Sequence, residues 1–249
     1  MIYIKNKEEI ALMKKAGQIT KGALQKAIEA VKPGVKTIEL DRIAENFIKK
    51  CNATPSFYKY NDFPMHICVS VNDEVVHGIP GEYVIQEGDI VSIDCGACYK
   101  GYHGDCADTA FAGAVSEEAK RLVEATRESF FLGIKQAVAG NRVGDISETI
   151  QTFIEANGYS IVRDLEGHGI GASLHESPSV PNFGKAGKGP KLMPGMTIAV
   201  EPMVNLGKYN VYLDATNNWT FKTLDQSLSA HYENTILITD GEPVILTTL

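Results

Sequence analysis

A weak copy of itself is what most narrows the folds open to this chain. Leu192-Met-Pro-Gly-Met-Thr-Ile-Ala-Val-Glu201, laid on Ile85-Gln-Glu-Gly-Asp-Ile-Val-Ser-Ile-Asp94 at an offset of 107 residues, sets Gly195 on Gly88, Ile198 on Val91 and Val200 on Ile93. Both segments close on an acid, Asp94 in the first and Glu201 in the second. The turn and helix around Val31 to Asn52 resemble those around Val138 to Asn157 once a residue or two of gap is allowed. The 249 residues therefore read as a single domain of two related α/β halves, about 1–112 and 113–249. An acid at the same place in both copies points to a site between the halves.

Local signals fit alternating helices and strands. Asn6 and Glu9 can form a capping box for a helix whose apolar residues Ile10, Met13, Leu24, Ile28 and Val31 recur at helical intervals, until Lys32-Pro33-Gly34 stops it. A second helix is expected over 37–52, and strands over 67–71, 90–94, 105–111 and 159–163. Ser116 caps a helix reaching about Ala139, and Asp145 opens another that ends near Asn157-Gly158. Asn182 to Lys191 reads as a loop. The 24 Lys and Arg against 31 Asp and Glu leave a net charge of −7. That balance argues against nucleic acid as the main partner, because such binding needs basic residues to release counterions from phosphate. No apolar run approaches the ~20 residues that cross a bilayer. Charges within Met1 to Ile10 interrupt any secretory apolar stretch, so a cytoplasmic address is expected, with no membrane association. Five cysteines, an odd number, argue for free thiols, and Cys95-Gly-Ala-Cys98 lacks the following helix or second pair that a redox or zinc site needs.

The acids carry the chemistry. Asp94 and Asp105 stand at the facing ends of two strands that a hairpin can bring together, and Glu201 and Glu233 repeat that arrangement. Four carboxylates converging in an interior repel one another and lose hydration, so they require protons or cations. His168, in Glu166-Gly-His-Gly-Ile-Gly171, has glycine neighbours that let a ligand approach closely. His175 follows in Leu174-His-Glu-Ser-Pro178, and His77 lies in Val76-His-Gly-Ile-Pro80, whereas His66, His103 and His231 read as surface or hydrogen-bonded residues. One histidine with four carboxylates and no thiolate suits two divalent cations such as Mn, Fe, Co or Zn. Two such ions serve hydrolysis by activating a shared water beside a polarised carbonyl. Di-iron redox chemistry would call for a four-helix bundle with Glu-x-x-His pairs, which this strand-borne pattern lacks. Two nucleotide readings fail: Pro178 and Pro181 prevent the helix that Gly167-x-Gly169 would need, and Gly184-Lys-Ala-Gly-Lys-Gly189 lacks Walker spacing.

Taken in order, Val76-His-Gly-Ile-Pro80, Asp94 with Gly104-Asp105, Glu166-Gly-His-Gly-Ile-Gly171, His175-Glu176, Pro194-Gly-Met-Thr197 through Glu201-Pro202 and Tyr232-Glu233-Asn-Thr235 resemble the short bacterial type I methionine aminopeptidases, over about Lys7 to Thr247. The resemblance implies a pita-bread fold of the α/β (α+β) class: two pseudo-symmetric halves around a mostly antiparallel curved sheet, with helices outside, forming one catalytic domain. It implies two divalent cations per chain (Co, Mn, Fe or Zn), with Asp94, Asp105, His168, Glu201 and Glu233 as ligands. Glu201 would also relay the proton of a hydroxide held between the ions. His175 would hydrogen-bond the substrate carbonyl and its oxyanion, and His77 the scissile amide nitrogen. Phe57, Tyr60, Phe63, Cys68, Leu174 and Trp219 would line a methionine pocket, where aromatic edges and sulfur suit a thioether. The implied reaction removes the initiator methionine from nascent chains and peptides with a small second residue. A monomer is expected, and ribosome contact is left open. Tyr58-Lys-Tyr-Asn-Asp62 stands where relatives are usually richer in glycine.

Overall fold

The computed structural model describes all 249 residues. Its helices are α1 (Lys7–Glu29), α2 (Thr37–Lys50), α3 (Glu117–Ile134) and α4 (Val143–Ala156). None is long and apolar enough to cross a membrane. A nine-stranded sheet runs in the order Thr54–Pro55, Ile90–Tyr99, Tyr102–Phe111, Glu233–Leu237, Thr197–Val200, Glu166–Gly169, Glu176–Pro181, with Ile67–Val71 and Val244–Ile245 branching from it. Every pairing in that sheet is antiparallel.

Side-chain alternation along the strands sorts core from site. In Ile90–Tyr99, the residues Val91, Ile93, Cys95 and Ala97 face the helices, where they pack with Ile19, Leu24, Leu40 and Ile48 of α1 and α2 in one apolar cluster. A second cluster joins Leu122 and Phe130 of α3 and Ile146 and Ile150 of α4 to Ile198, Val200 and Ile236. Both helix pairs thus cover the sheet by burying the apolar phase of its strands, which leaves the opposite phase free for polar groups. Burial of these side chains is worth roughly 1.5–3 kcal/mol each.

Equivalent contacts recur in the two stretches that the sequence repeat aligns. Gly88 and Gly195, with φ of 93° and 88°, donate their N–H groups to Ala112 O and Ile238 O. Only glycine takes that left-handed conformation without strain, which accounts for its presence in both copies. Likewise, Gly34 N–H donates to Ile85 O and Gly140 N–H to Leu192 O. The N-caps Lys36 and Arg142 donate their main-chain N–H to Glu39 and Asp145.

Several boundaries differ from the sequence expectations. Asp145 does not open α4; it is the third helical residue, its carboxylate accepting the Arg142 N–H at 2.7 Å, so the helix starts at Val143. Helix α3 stops at Ile134 because Gln136 and Ala137 turn back onto Gly133 O and Ile134 O, short of Ala139. The two central strands are longer than 90–94 and 105–111. They meet as a hairpin through Lys100-Gly101, whose φ values of 49° and 85° match the tight turn that the strands' twist favours. The strand expected over 159–163 is only Ser160–Ile161.

Candidate metal centre and substrate pocket

Sheet register gathers the acids. Asp94 lies opposite Ala107, and Ala107 opposite Glu233, so both carboxylates share one face across a small central residue. Asp105, two residues from Ala107, projects from the same face. Val200 pairs with Asn234, which puts Glu201, the next residue, beside Glu233. His168 arrives from the neighbouring strand Glu166–Gly169, its Nε2 lying 3.9 Å from Asp105 Oδ2 and 3.7 Å from Glu201 Oε1. Side-chain hydrogen bonds fix the supports: Thr235 Oγ1 accepts from Asp105 N–H and donates to Asp105 O, and Asn182 Nδ2 donates to Glu201 O.

The site's electrostatics are those of trapped charge. Burial pushes the carboxyl of Asp94 up to about 7 and those of Asp105, Glu201 and Glu233 well above the usual range, with mutual repulsion adding to the effect at the last three. Asp94 Oδ1, Asp105 Oδ1 and Glu233 Oε1 are buried and have no hydrogen-bond partner. An acceptor left so costs about 1–3 kcal/mol or more, and divalent cations are the partners that several anionic oxygens accept together. His168 fits this use. Its Nδ1 must carry the proton, because it donates to Gly169 O at 2.9 Å, and so Nε2 presents a lone pair to the acids. Burial holds its imidazole at about 3, neutral at ordinary pH.

One cavity of about 170 Å³ joins this cluster to an apolar pocket. It is lined by Phe57, Tyr60, Phe63, Cys68, Leu174 and Trp219, by His77 and His175, and by Asp94, Asp105, His168, Glu201 and Glu233. All thirteen residues singled out from the sequence therefore border the same space, together with Asn61. Phe63 meets Trp219 edge-on at 5.1 Å, and the Tyr60 hydroxyl lies 2.8 Å from His175 Nδ1. His175 also packs edge-on against His168 at 4.0 Å. Burial lowers the His175 pKa and brings that of His77 to about 4. His77 adopts φ 59°, a left-handed strain of the kind that an active site holds in place by its surroundings. Lys59, Asn61 and Asp62 also have positive φ, at 64°, 47° and 68°, the left-handed region that glycine enters with least strain.

The remaining histidines divide. His66 bonds Asp41 Oδ2 at 2.8 Å and His103 bonds Ser56 Oγ at 2.8 Å, as hydrogen-bonded residues should. His231 departs from that expectation. It is 2% exposed and its Nε2 has no hydrogen-bond partner, being 3.8 Å from Glu201 Oε2 and 3.9 Å from Glu233 Oε2. Its spacing of two residues from Glu233 was the available signal, since that period returns to one face of an extended chain. Lys5 was also missed. Its ammonium makes a buried 2.6 Å ion pair with Glu176, tying the N-terminal segment to the residue after His175. All five cysteines are free thiols.

Comparison with known proteins gives the class first. Residues 11–240 match metallopeptidase family M24. The chain belongs to that family, an enzyme family that depends on divalent metal, and its curved antiparallel sheet with helices outside is the pita-bread fold. Within it, the full-length relatives carry a more particular name. A methionine aminopeptidase of Clostridium perfringens is 56% identical over 248 residues, covering 99% of each chain. The crystal structure of a Thermotoga maritima methionine aminopeptidase superposes with a TM-score of 0.98 at 43% identity, over 100% of both chains. A prolidase from Pyrococcus furiosus shares the fold at a TM-score of 0.79 and 25% identity, but this chain spans only 65% of it.

Proposed function

We propose that the chain is a methionine aminopeptidase, one catalytic domain of two related halves that holds two divalent cations between them. The observation that carries this reading is the single cavity in which an apolar, sulfur-bearing pocket ends on four converging carboxylates, two buried and two half-buried, and a neutral imidazole. Asp94, Asp105, His168, Glu201 and Glu233 would hold the ions. When bound, such a pair lowers the pKa of a water molecule and polarises a carbonyl. Which metal is used follows from cellular supply more than from this donor set.

The chain's own groups then have distinct tasks. Phe57, Phe63, Cys68, Leu174 and Trp219 enclose the methionine side chain, exclude water, and set the scissile bond beside the acids. Tyr60 donates its hydroxyl proton to His175 Nδ1, which leaves the opposite nitrogen of His175 protonated and able to donate to the carbonyl oxygen as it becomes an oxyanion. His77 orients the scissile amide nitrogen. Glu201 accepts the proton of the attacking water and passes it to the leaving amine. The confined pocket suits a small second residue, and the substrates are new chains and peptides in the cytoplasm.

A comparison of Met-Gly and Xaa-Pro peptides, with added Mn or Co and after chelation, tests the proposal. Met-Gly cleavage that chelation abolishes and metal restores is expected. Full activity after exhaustive chelation, or preference for the Xaa-Pro peptide, would overturn it.

A further inference from the structure

His231 is the one buried titratable side chain at the carboxylate cluster to which the proposed chemistry gives no task. Its Nε2 has no hydrogen-bond partner, a costly state for a buried ring nitrogen. The nearest acceptors are Glu201 Oε2 at 3.8 Å and Glu233 Oε2 at 3.9 Å, both beyond hydrogen-bond reach. Two donors on one ion at bond lengths of about 2.0–2.2 Å can lie no more than about 4.3 Å apart. His231 Nε2 thus stands from each of these two oxygens at the separation expected of groups that share a cation.

His168 provides an internal standard. Its Nε2 is 3.9 Å from Asp105 Oδ2 and 3.7 Å from Glu201 Oε1, so the two imidazoles flank Glu201, one beside each of its oxygens. Asp105, His168 and Glu233 form one potential cation site, and Glu201, His231 and Glu233 form another. Unpartnered oxygens on Asp94, Asp105 and Glu233 add negative charge around the pair, which favours a cation over a water molecule between His231 and its neighbours.

We propose that His231 Nε2 is a ligand of the second cation, so that each of the two ions is held by one imidazole and by carboxylates they share. This rests on the two-cation reading above. His231 enters from the short strand Ser229–His231 and Glu233 from the strand that follows, so one stretch of chain supplies two donors to the same ion.

The test is calorimetric titration of the chelated full-length chain with Co2+, for the wild type, His231→Gln, His231→Ala and His168→Ala. Histidine ring N–H resonances shifted by bound Co2+ are counted in parallel. Wild type should bind two ions and show strongly shifted signals from two imidazoles. His231→Gln, which retains size and hydrogen-bonding capacity but not the imidazole, should weaken one site by about tenfold or more and remove one of those signals. His168→Ala should weaken the other site. Thermal melts of the chelated variants establish that each is folded. Two unchanged sites in both His231 variants would overturn the inference while leaving the two-cation reading intact. A wild type that binds fewer than two ions would remove that reading, and the inference with it. If His231→Ala lost a site that His231→Gln kept at wild-type strength, His231 would be a hydrogen-bonding residue and not a ligand.

Discussion

At the candidate site, four acidic side chains that would each prefer water stand side by side, Asp105 and Glu233 buried and Asp94 and Glu201 half-buried. Asp105 and Glu233 are only 3% and 2% exposed, so on the proposed reading removing one acid changes both the charge that would attract cations and the donors that would hold them. Glu201→Ala should therefore lower turnover by about 10²–10⁴-fold, the range for a lost proton-transfer group, and also weaken metal uptake. Turnover near that of the wild type would contradict its role. His175→Ala should retain its metal and lose about 10²–10³-fold in kcat, because its N–H acts on charge that develops only during reaction. Metal analysis of the purified variant separates the two cases: loss of an ion would make His175 a ligand instead. The acids and His168 were legible in the sequence because buried charge has few uses and glycines marked the approach. His231 was not, because its only signal was a spacing of two from Glu233, and that has meaning only once the chain is known to be extended there.

Among the elements, α1 packs against the hairpin strand Tyr102–Phe111, the strand that carries Asp105. A side chain on Gly104 would come within 2.8 Å of Gly17 Cα, and one on Gly17 would run into the Leu246 carbonyl. Glycine to alanine inside a helix ordinarily stabilises by about 1 kcal/mol. Gly17→Ala should do the reverse, costing roughly 1–3 kcal/mol as an overpacked contact, measurable as a lower urea midpoint with an unchanged slope. A gain in stability would show that the backbones separate freely. The helix caps, the 67–71 strand and the paired glycines were written in local sequence, where side-chain hydrogen bonding and left-handed φ leave clear marks. The full length of the central hairpin was not. Its outer residues, Cys98, Tyr99 and Tyr102, are extended because their partners are extended, a cooperative cause that no single residue signals.

For the molecule as a whole, pH and metal act on the same account. A carboxyl whose folded pKa is raised contributes stability that is complete below its unfolded value near 4 and is lost as pH rises through the folded value. Asp94, raised to about 7, and Asp105, Glu201 and Glu233, raised well above the usual carboxyl range, all carry that sign. His77, His168 and His231, lowered to about 4, 3 and 3, carry the opposite one, losing stability as pH falls below about 6.5 and being neutral in both states well above it. Once pH passes about 6.5, where the histidines no longer oppose the effect, the melting temperature of the chelated chain should fall as pH rises through about 7 for Asp94 and further as the other three acids ionise, and added Mn2+ should remove most of that fall; a flat profile without metal would count against the four acids acting together. Much of this was present in the linear chain: the repeat and its two α/β halves follow from periodicity and turn chemistry, and the acids and His168 from the cost of burying charge, whereas the antiparallel sheet and the tasks of His77 and His175 came with the family resemblance. What waited for the folded molecule was the row from Asp94 across Ala107 to Glu233, with Glu201 beside it, and the open nitrogen of His231. Strand register sets distances between residues far apart in the chain, and those distances decide which groups can share an ion.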